Sequence, residues 1–133
     1  MAVITNAMAG ATIQPKFREM GSFKIVCTQA IASDAASAQA YKLFNIASGC
    51  TLTDIYIRLS AQIVTGSTLN LGLATNGTDF IGAGSCTSVV IQRGSAGMPL
   101  TCTADTPVYI YLSAAAGTAG NALVVATVSY DID

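Results

Sequence analysis

Apolar residues occupy every second position from Ile55 to Ile63: Ile55, Ile57, Leu59, Ala61 and Ile63 fall on one side, with Tyr56, Arg58, Ser60 and Gln62 on the other. Successive side chains of an extended chain point to opposite faces, so a period of two describes a strand with one face buried and one face wet. The pattern recurs along the chain. Leu69, Leu71 and Leu73 alternate with Asn70, Gly72 and Ala74, and Val108, Ile110 and Leu112 alternate with Tyr109 and Tyr111. Near the end, Val124, Ala126, Val128, Tyr130 and Ile132 alternate with Val125, Thr127, Ser129 and Asp131. Shorter strand candidates lie at 23–28, 41–46, 80–81 and 87–91.

Turn signals separate these runs: Ser48-Gly49, 65–67, Asn76-Gly77, 82–85, 93–97, 105–107 and 117–120. Asn-Gly supplies the positive φ angles of a tight hairpin turn, so 69–81 is predicted to be a hairpin about Asn76-Gly77. The Ala-rich stretch 33–40, with Ser33 as its N-cap, is the one place for a helical turn. It is short and lacks an apolar stripe, which excludes an all-helical fold. About eight short strands with frequent turns predict a single all-β domain, a β-sandwich; a jelly roll of two four-stranded sheets has the right strand number. The sandwich spans 23–133. Residues 1–22, with Gly10, Pro15 and Gly21 and weak alternation, are read as an extended N-terminal arm that docks through Val3, Ile4, Ile13 and Phe17.

Composition narrows the function. Only 10% of the 133 residues are charged and 52% are hydrophobic, against about 25% charged in an ordinary soluble domain. No run approaches the roughly 20 apolar residues of a membrane helix. A surface so poor in charge is either coated with Ala, Ser, Thr and Gly or covered by protein, and large apolar surfaces mark interfaces. A homo-oligomer is therefore expected. The net charge is −1, and the six basic residues are scattered, whereas a nucleic-acid binder clusters Lys and Arg to displace counterions. Residues 1–11 lack the basic segment and apolar core of a signal peptide, so folding in a reducing cytosol is expected. Cys27, Cys50, Cys86 and Cys102 are not closely spaced and there is no His, which argues against a zinc site. The cysteines read as buried free thiols, with a Cys86–Cys102 bridge as the alternative.

Catalytic equipment is missing from the same inventory. Without His the commonest general base is absent, and Glu19, Asp34, Asp54, Asp79, Asp105, Asp131 and Asp133 fall mostly in predicted turns or at the terminus. Acids there cap turns more often than they catalyse; Asp54 is expected to pair with Arg58. The glycines at 82–84 lack the Lys and the following helix of a nucleotide loop. No enzyme, metal or cofactor is expected. Tyr56, Tyr109, Tyr111 and Tyr130 could form a sugar-stacking platform, which supports a second reading as a carbohydrate- or host-surface-binding module of a fibre or adhesin. Tyrosines on strand faces are also common at interfaces.

An apolar arm (Met1-Ala2-Val3-Ile4-Thr5-Asn6 to Lys16-Phe17-Arg18-Glu19-Met20), a neutral Ala/Thr/Ser/Gly-rich sandwich and a terminal strand at 123–132 together resemble the small capsid decoration, or cement, proteins of tailed bacteriophages. The resemblance spans the whole chain and is one of pattern, without a diagnostic motif. It implies a compact β domain, often a trimer at lattice symmetry points, that binds the outer surface of the capsid, clamps neighbouring copies of the major capsid protein and stabilises the shell. Such a protein is made in the host cytoplasm and resides on the virion surface. The candidate capsid contacts are then Ile13, Pro15, Lys16, Phe17, Arg18 and Glu19, since an extended arm can add to a neighbour's sheet edge while flanking charges fix its register. A tail-fibre or spike fragment, or a minor capsid jelly roll, would share the pattern.

Overall fold

Alternation in the sequence becomes alternation in burial. The computed structural model describes residues 3–5, 12–13, 21–31, 39–60, 68–86, 91–94, 98–113 and 119–130. Its strands are β1 (Val3–Thr5), β2 (Thr12–Ile13), β3 (Gly21–Ile31), β4 (Gln39–Ile46), β5 (Thr51–Leu59), β6 (Thr68–Gly72), β7 (Ile81–Ser85), β8 (Gln92–Arg93), β9 (Leu100–Thr101), β10 (Thr106–Leu112) and β11 (Gly120–Tyr130). Of the helical-turn candidate at 33–40, Gln39 and Ala40 open β4 and the rest lies outside the described residues, as do 61–63 and 87–90 of two predicted strands.

The strands form two sheets, β1-β4-β10-β6-β7 with β2 also on β4, and β3-β11-β5-β8 with β9 also on β5. With β1, β2 and β9 set aside, each sheet has four strands, the two-residue β8 among them. The chain changes sheet at every step between them except the β6–β7 hairpin. That is a jelly roll. The first and last long strands, β3 and β11, pair along their whole length from Gly21↔Tyr130 to Ile31↔Gly120. The N-terminal segment also belongs to a sheet: β1 and β2 run parallel to β4, with Val3–Thr5 against Ala40–Lys42 and Thr12–Ile13 against Asn45–Ile46.

The core lies between the sheets. Ile25, Cys27, Ile31, Leu52, Ile55, Ile57, Leu59, Val124, Ala126 and Val128 come from one sheet, and Tyr41, Leu43, Phe44, Ile46, Leu69, Leu71, Val108, Ile110 and Leu112 from the other; all are at most 2% exposed. Each large apolar side chain so buried contributes roughly 1.5–3 kcal/mol relative to exposure. A bulge explains why the clean alternation of β5 starts at Ile55. Asp54 lies opposite Thr127 while Leu52 lies opposite Val128, so Thr53 is the extra residue and Leu52 returns to the buried face three positions before Ile55. The Thr53 hydroxyl donates to the Thr127 carbonyl at 3.1 Å.

Two turns show what their glycines supply. At Ala47–Cys50 the Cys50 amide donates to the Ala47 carbonyl (3.2 Å) and Gly49 has φ +87°, the glycine position of a type II turn. The predicted hairpin forms, with Leu71 opposite Ile81, but not through a two-residue Asn-Gly turn. Its loop is 73–80, closed by Gly77 N–H to Ala74 C=O at 3.0 Å, and neither Asn76 nor Gly77 has a positive φ. Crowding is the reason for glycine here: a Cβ on Gly77 would stand 2.7 Å from Asp79 Oδ2, and one on Gly72 2.5 Å from the Gly77 carbonyl carbon. The loop folds back over the end of β6, held by Leu73 N–H donating to Asp79 Oδ2 at 2.9 Å.

All four cysteines are buried free thiols, and the Cys86–Cys102 bridge is not formed. The neighbour of Cys102 is instead Cys50. Cys102 N–H donates to the Cys50 carbonyl (2.8 Å) and Gly49 N–H to the Cys102 carbonyl (2.7 Å), extending the Thr51↔Thr101 ladder. Burial pushes the Cys27 and Cys50 thiols up from the ordinary value of 9.0, and Cys102 adds to the effect at Cys50.

Candidate interaction surface

Each sheet turns one face to the core and one outward, and register fixes which side chains meet on the outer faces. On the β3-β11-β5-β8 sheet three rows run across the strands: Lys24–Thr127–Asp54, Val26–Val125–Tyr56–Arg93 and Thr28–Leu123–Arg58. The middle row is apolar at its centre. Val26 is 55% exposed, Val125 beside it only 5%, and Tyr56 is half-buried. Arg93 lies over the Tyr56 ring, its guanidinium carbon 5.1 Å from the centroid, and donates from Nη1 to Asp54 Oδ2 at 2.6 Å.

That ion pair corrects the expected Asp54–Arg58 pairing. Four residues along one strand separate Asp54 from Arg58 by about 13 Å, whereas β8 delivers Arg93 to the adjacent strand. Both partners are well exposed, at 59% and 37%, so the bridge adds little stability. Its effect is positional, holding the guanidinium against Tyr56. Lys24 and Arg58 are exposed and make no ion pair among the described residues.

The outer face of the other sheet is centred on Tyr109 and Tyr111 of β10. Tyr109 sits between Lys42 and Gly72, Tyr111 between Ala40 and Asn70. Val3 of β1 borders Ala40 and is 43% exposed. Asn70 is engaged on both sides, donating to Asn76 Oδ1 (3.0 Å) and accepting from Ala83 N–H (2.9 Å).

The four-tyrosine platform is not assembled. Tyr56 lies on the outer face of one sheet and Tyr109 and Tyr111 on the outer face of the other, with the core between them. Tyr130 packs on Phe23 at 5.8 Å between ring centroids. A period-two reading assigns each tyrosine to a face of its own strand but cannot say which sheet that strand joins. Two acids do hold turns: Asp79 as above, and Asp105, which accepts from Ser48 N–H at 3.1 Å. Of the predicted arm contacts, Ile13 lies in β2, and Pro15, Lys16, Phe17, Arg18 and Glu19 lie outside the described residues. The grid around Val26 was missed in the sequence because it exists only once β3, β11, β5 and β8 are in register.

No protein-family model and no curated protein matches the chain. Solved structures do. A chain in the capsid of Ralstonia phage GP4 superposes with a TM-score of 0.75 at 12% identity, over 99% of this chain and 100% of that one. A chain of the cyanophage Pam1 capsid asymmetric unit gives 0.68 at 21% identity, over 92% and 95%. A chain of the acid-stable capsid of Helicobacter pylori bacteriophage KHP30 gives 0.58 at 12% identity, over 84% and 93%. The jelly roll of this chain is thus a fold carried, end to end, by chains found in phage capsids.

Proposed function

We propose that this chain is a non-enzymatic virion protein of a phage that binds the outer surface of the capsid and stabilises it, acting as a homotrimer that clamps copies of the major capsid protein. The observation that carries this reading is the end-to-end likeness to whole chains in three phage capsids, covering 93–100% of those chains. A chain with only 10% charged residues suits a protein largely covered by neighbours. Many copies on one lattice convert modest individual affinity into a firm hold when each oligomer engages several subunits. The carbohydrate-binding alternative loses its main support, since its four tyrosines stand on three separate surfaces.

The test is to add purified protein to particles that lack it. Saturable decoration of the outside, and a shell that breaks at higher temperature or force once coated, are the expected results. Protein that never associates with particles refutes the reading. The arm is tested by Phe17→Ala and by Lys16→Ala with Arg18→Ala, not by deleting residues 1–22. Deletion would also strip β1 and β2 from β4 and expose a sheet edge.

A further inference from the structure

Charge on this molecule is sparse and unevenly placed. Among the described residues there are four cations and three acids, and three of the cations, Lys24, Arg58 and Arg93, stand on the outer face of the β3-β11-β5-β8 sheet. The one acid there among the described residues, Asp54, is already bound to Arg93. Counted over the described residues, the face carries three cations to one acid. Between the cations runs the Val26–Val125–Tyr56 row, with Val26 among the few large apolar side chains left exposed. Four strands at about 4.8 Å and four residues at about 3.4 Å give this grid sides of about 14 Å. That is the scale of an interface centre, where an apolar middle with Tyr and Arg sits inside a polar rim.

We infer that this face is a docking surface for an acidic patch on another protein. The partner's apolar side chains seat on exposed Val26 and the half-buried Tyr56 ring, and its carboxylates meet Lys24 and Arg58. A second copy presenting the same face is a poor fit, because an isologous contact would set these cations against one another. Nucleic acid is also a poor fit, since two unpaired cations release too few counterions to hold a phosphate backbone. Arg93 is held in place by Asp54 and Tyr56, so less side-chain entropy is lost when it enters the contact. The inference rests on the capsid reading, in which the acidic partner is the shell, and it adds a contact distinct from the arm.

The test uses full-length protein and particles lacking it, with wild type, the Lys24→Glu/Arg58→Glu double variant, the Lys24→Arg/Arg58→Lys control and Val26→Asp. Circular dichroism and melting first establish that each variant folds as wild type, as exposed substitutions normally do. The double reversal is expected to weaken decoration at least tenfold, Val26→Asp to weaken it comparably, and the control to stay within about threefold. Raising sodium chloride from 50 to 300 mM is expected to weaken wild type but not the double variant. Double-variant binding within twofold of wild type overturns the inference while leaving the capsid reading intact. So does a variant whose oligomer dissociates in sedimentation, because the face is then a contact between copies. Wild type that binds no particle removes both.

Discussion

Gln92 ties the two sheets together at one end of the sandwich, and that tie can be broken by a single substitution. Its backbone belongs to β8, opposite Ile57 of β5. Its side-chain amide reaches β7 in the other sheet, where Oε1 accepts from Ser85 N–H at 2.7 Å and Nε2 donates to Ser85 C=O at 2.9 Å. The amide thus takes the place a neighbouring strand would occupy at this position. A hydrogen bond contributes about 0.5–1.5 kcal/mol net, so Gln92→Ala is expected to cost about 2 kcal/mol. In a domain of this size that lowers Tm by roughly 6–8 °C. Gln92→Glu is the sharper probe. Its ionised carboxylate still accepts from Ser85 N–H but opposes the Ser85 carbonyl, whereas the protonated acid donates to it. Folding then favours the protonated form, so the folded pKa lies above the unfolded value of about 4.3. The stabilising contribution is complete below that value and is lost as pH rises through the folded pKa. Urea titrations of the variant against wild type are expected to show a deficit of about 2 kcal/mol or more at pH 7 that shrinks at pH 3.5. A Gln92→Ala protein within 0.5 kcal/mol of wild type refutes the clamp, and so does a Gln92→Glu deficit equal at both pH values.

Other predictions rest on single buried groups. The Tyr41 hydroxyl is buried with no hydrogen-bond partner among the described residues, and a buried hydroxyl left unsatisfied carries an uncompensated desolvation cost. Tyr41→Phe should therefore leave stability unchanged or raise it by up to about 1 kcal/mol; a loss above 1 kcal/mol in urea denaturation would reveal a partner. Burial makes Cys27, Cys50 and Tyr41 weaker acids, raising their pKa values above the ordinary 9.0, 9.0 and 10.0. The unfolded chain thus releases these protons first, and the stability they contribute holds below about pH 9 and falls as pH rises through the folded values. Melting that is flat from pH 7 to 8.5 and then declines is expected; a rise above pH 9.5 would contradict it. Thiol titration in denaturant should find four free cysteines. If diamide is used to remove two electrons and two protons, peptide mapping should find Cys50 joined to Cys102; a Cys86–Cys102 product would show the neighbour to be misassigned.

Much of the fold was legible because burial in a sandwich is decided strand by strand. The alternation of Ile55–Ile57–Leu59, Val108–Ile110–Leu112 and Val124–Ala126–Val128 needs no knowledge of partners, and all nine residues are at most 1% exposed. What escaped depends on pairing or crowding. Thr53 gives no local sign of being a bulge, because its extra position is defined only against Thr127 and Val128 of β11. Asn76-Gly77 carries a strong hairpin signal, yet Asp79 and the close approach to Gly72 decide its geometry. Two cysteines separated by 15 residues, Cys86 and Cys102, looked the better pair; register instead places Cys102 against Cys50. The same blindness hid the surface grid. Lys24, Arg58 and Arg93 are distant in sequence and come onto one face only when four strands are in register.

The edges of the sandwich bear on where a partner can attach. Unpaired strand edges accept foreign strands readily, and here most are occupied or weak. The β4 edge is taken by β1 and β2, so the N-terminal segment performs within the chain the strand addition that the arm reading assigns to a neighbour. The β7 end is engaged by Gln92, and β8 and β9 share the β5 edge as strands of two residues each. β3 is the long edge among the described residues, and it carries Lys24, a charge of the kind that discourages strand pairing. With edges so managed, selective attachment falls to the faces. One face is largely neutral around Tyr109 and Tyr111, with Lys42 at its side. The other gathers three of the four described cations around an exposed valine. On a chain with so little charge, that concentration is what can distinguish one protein surface from another.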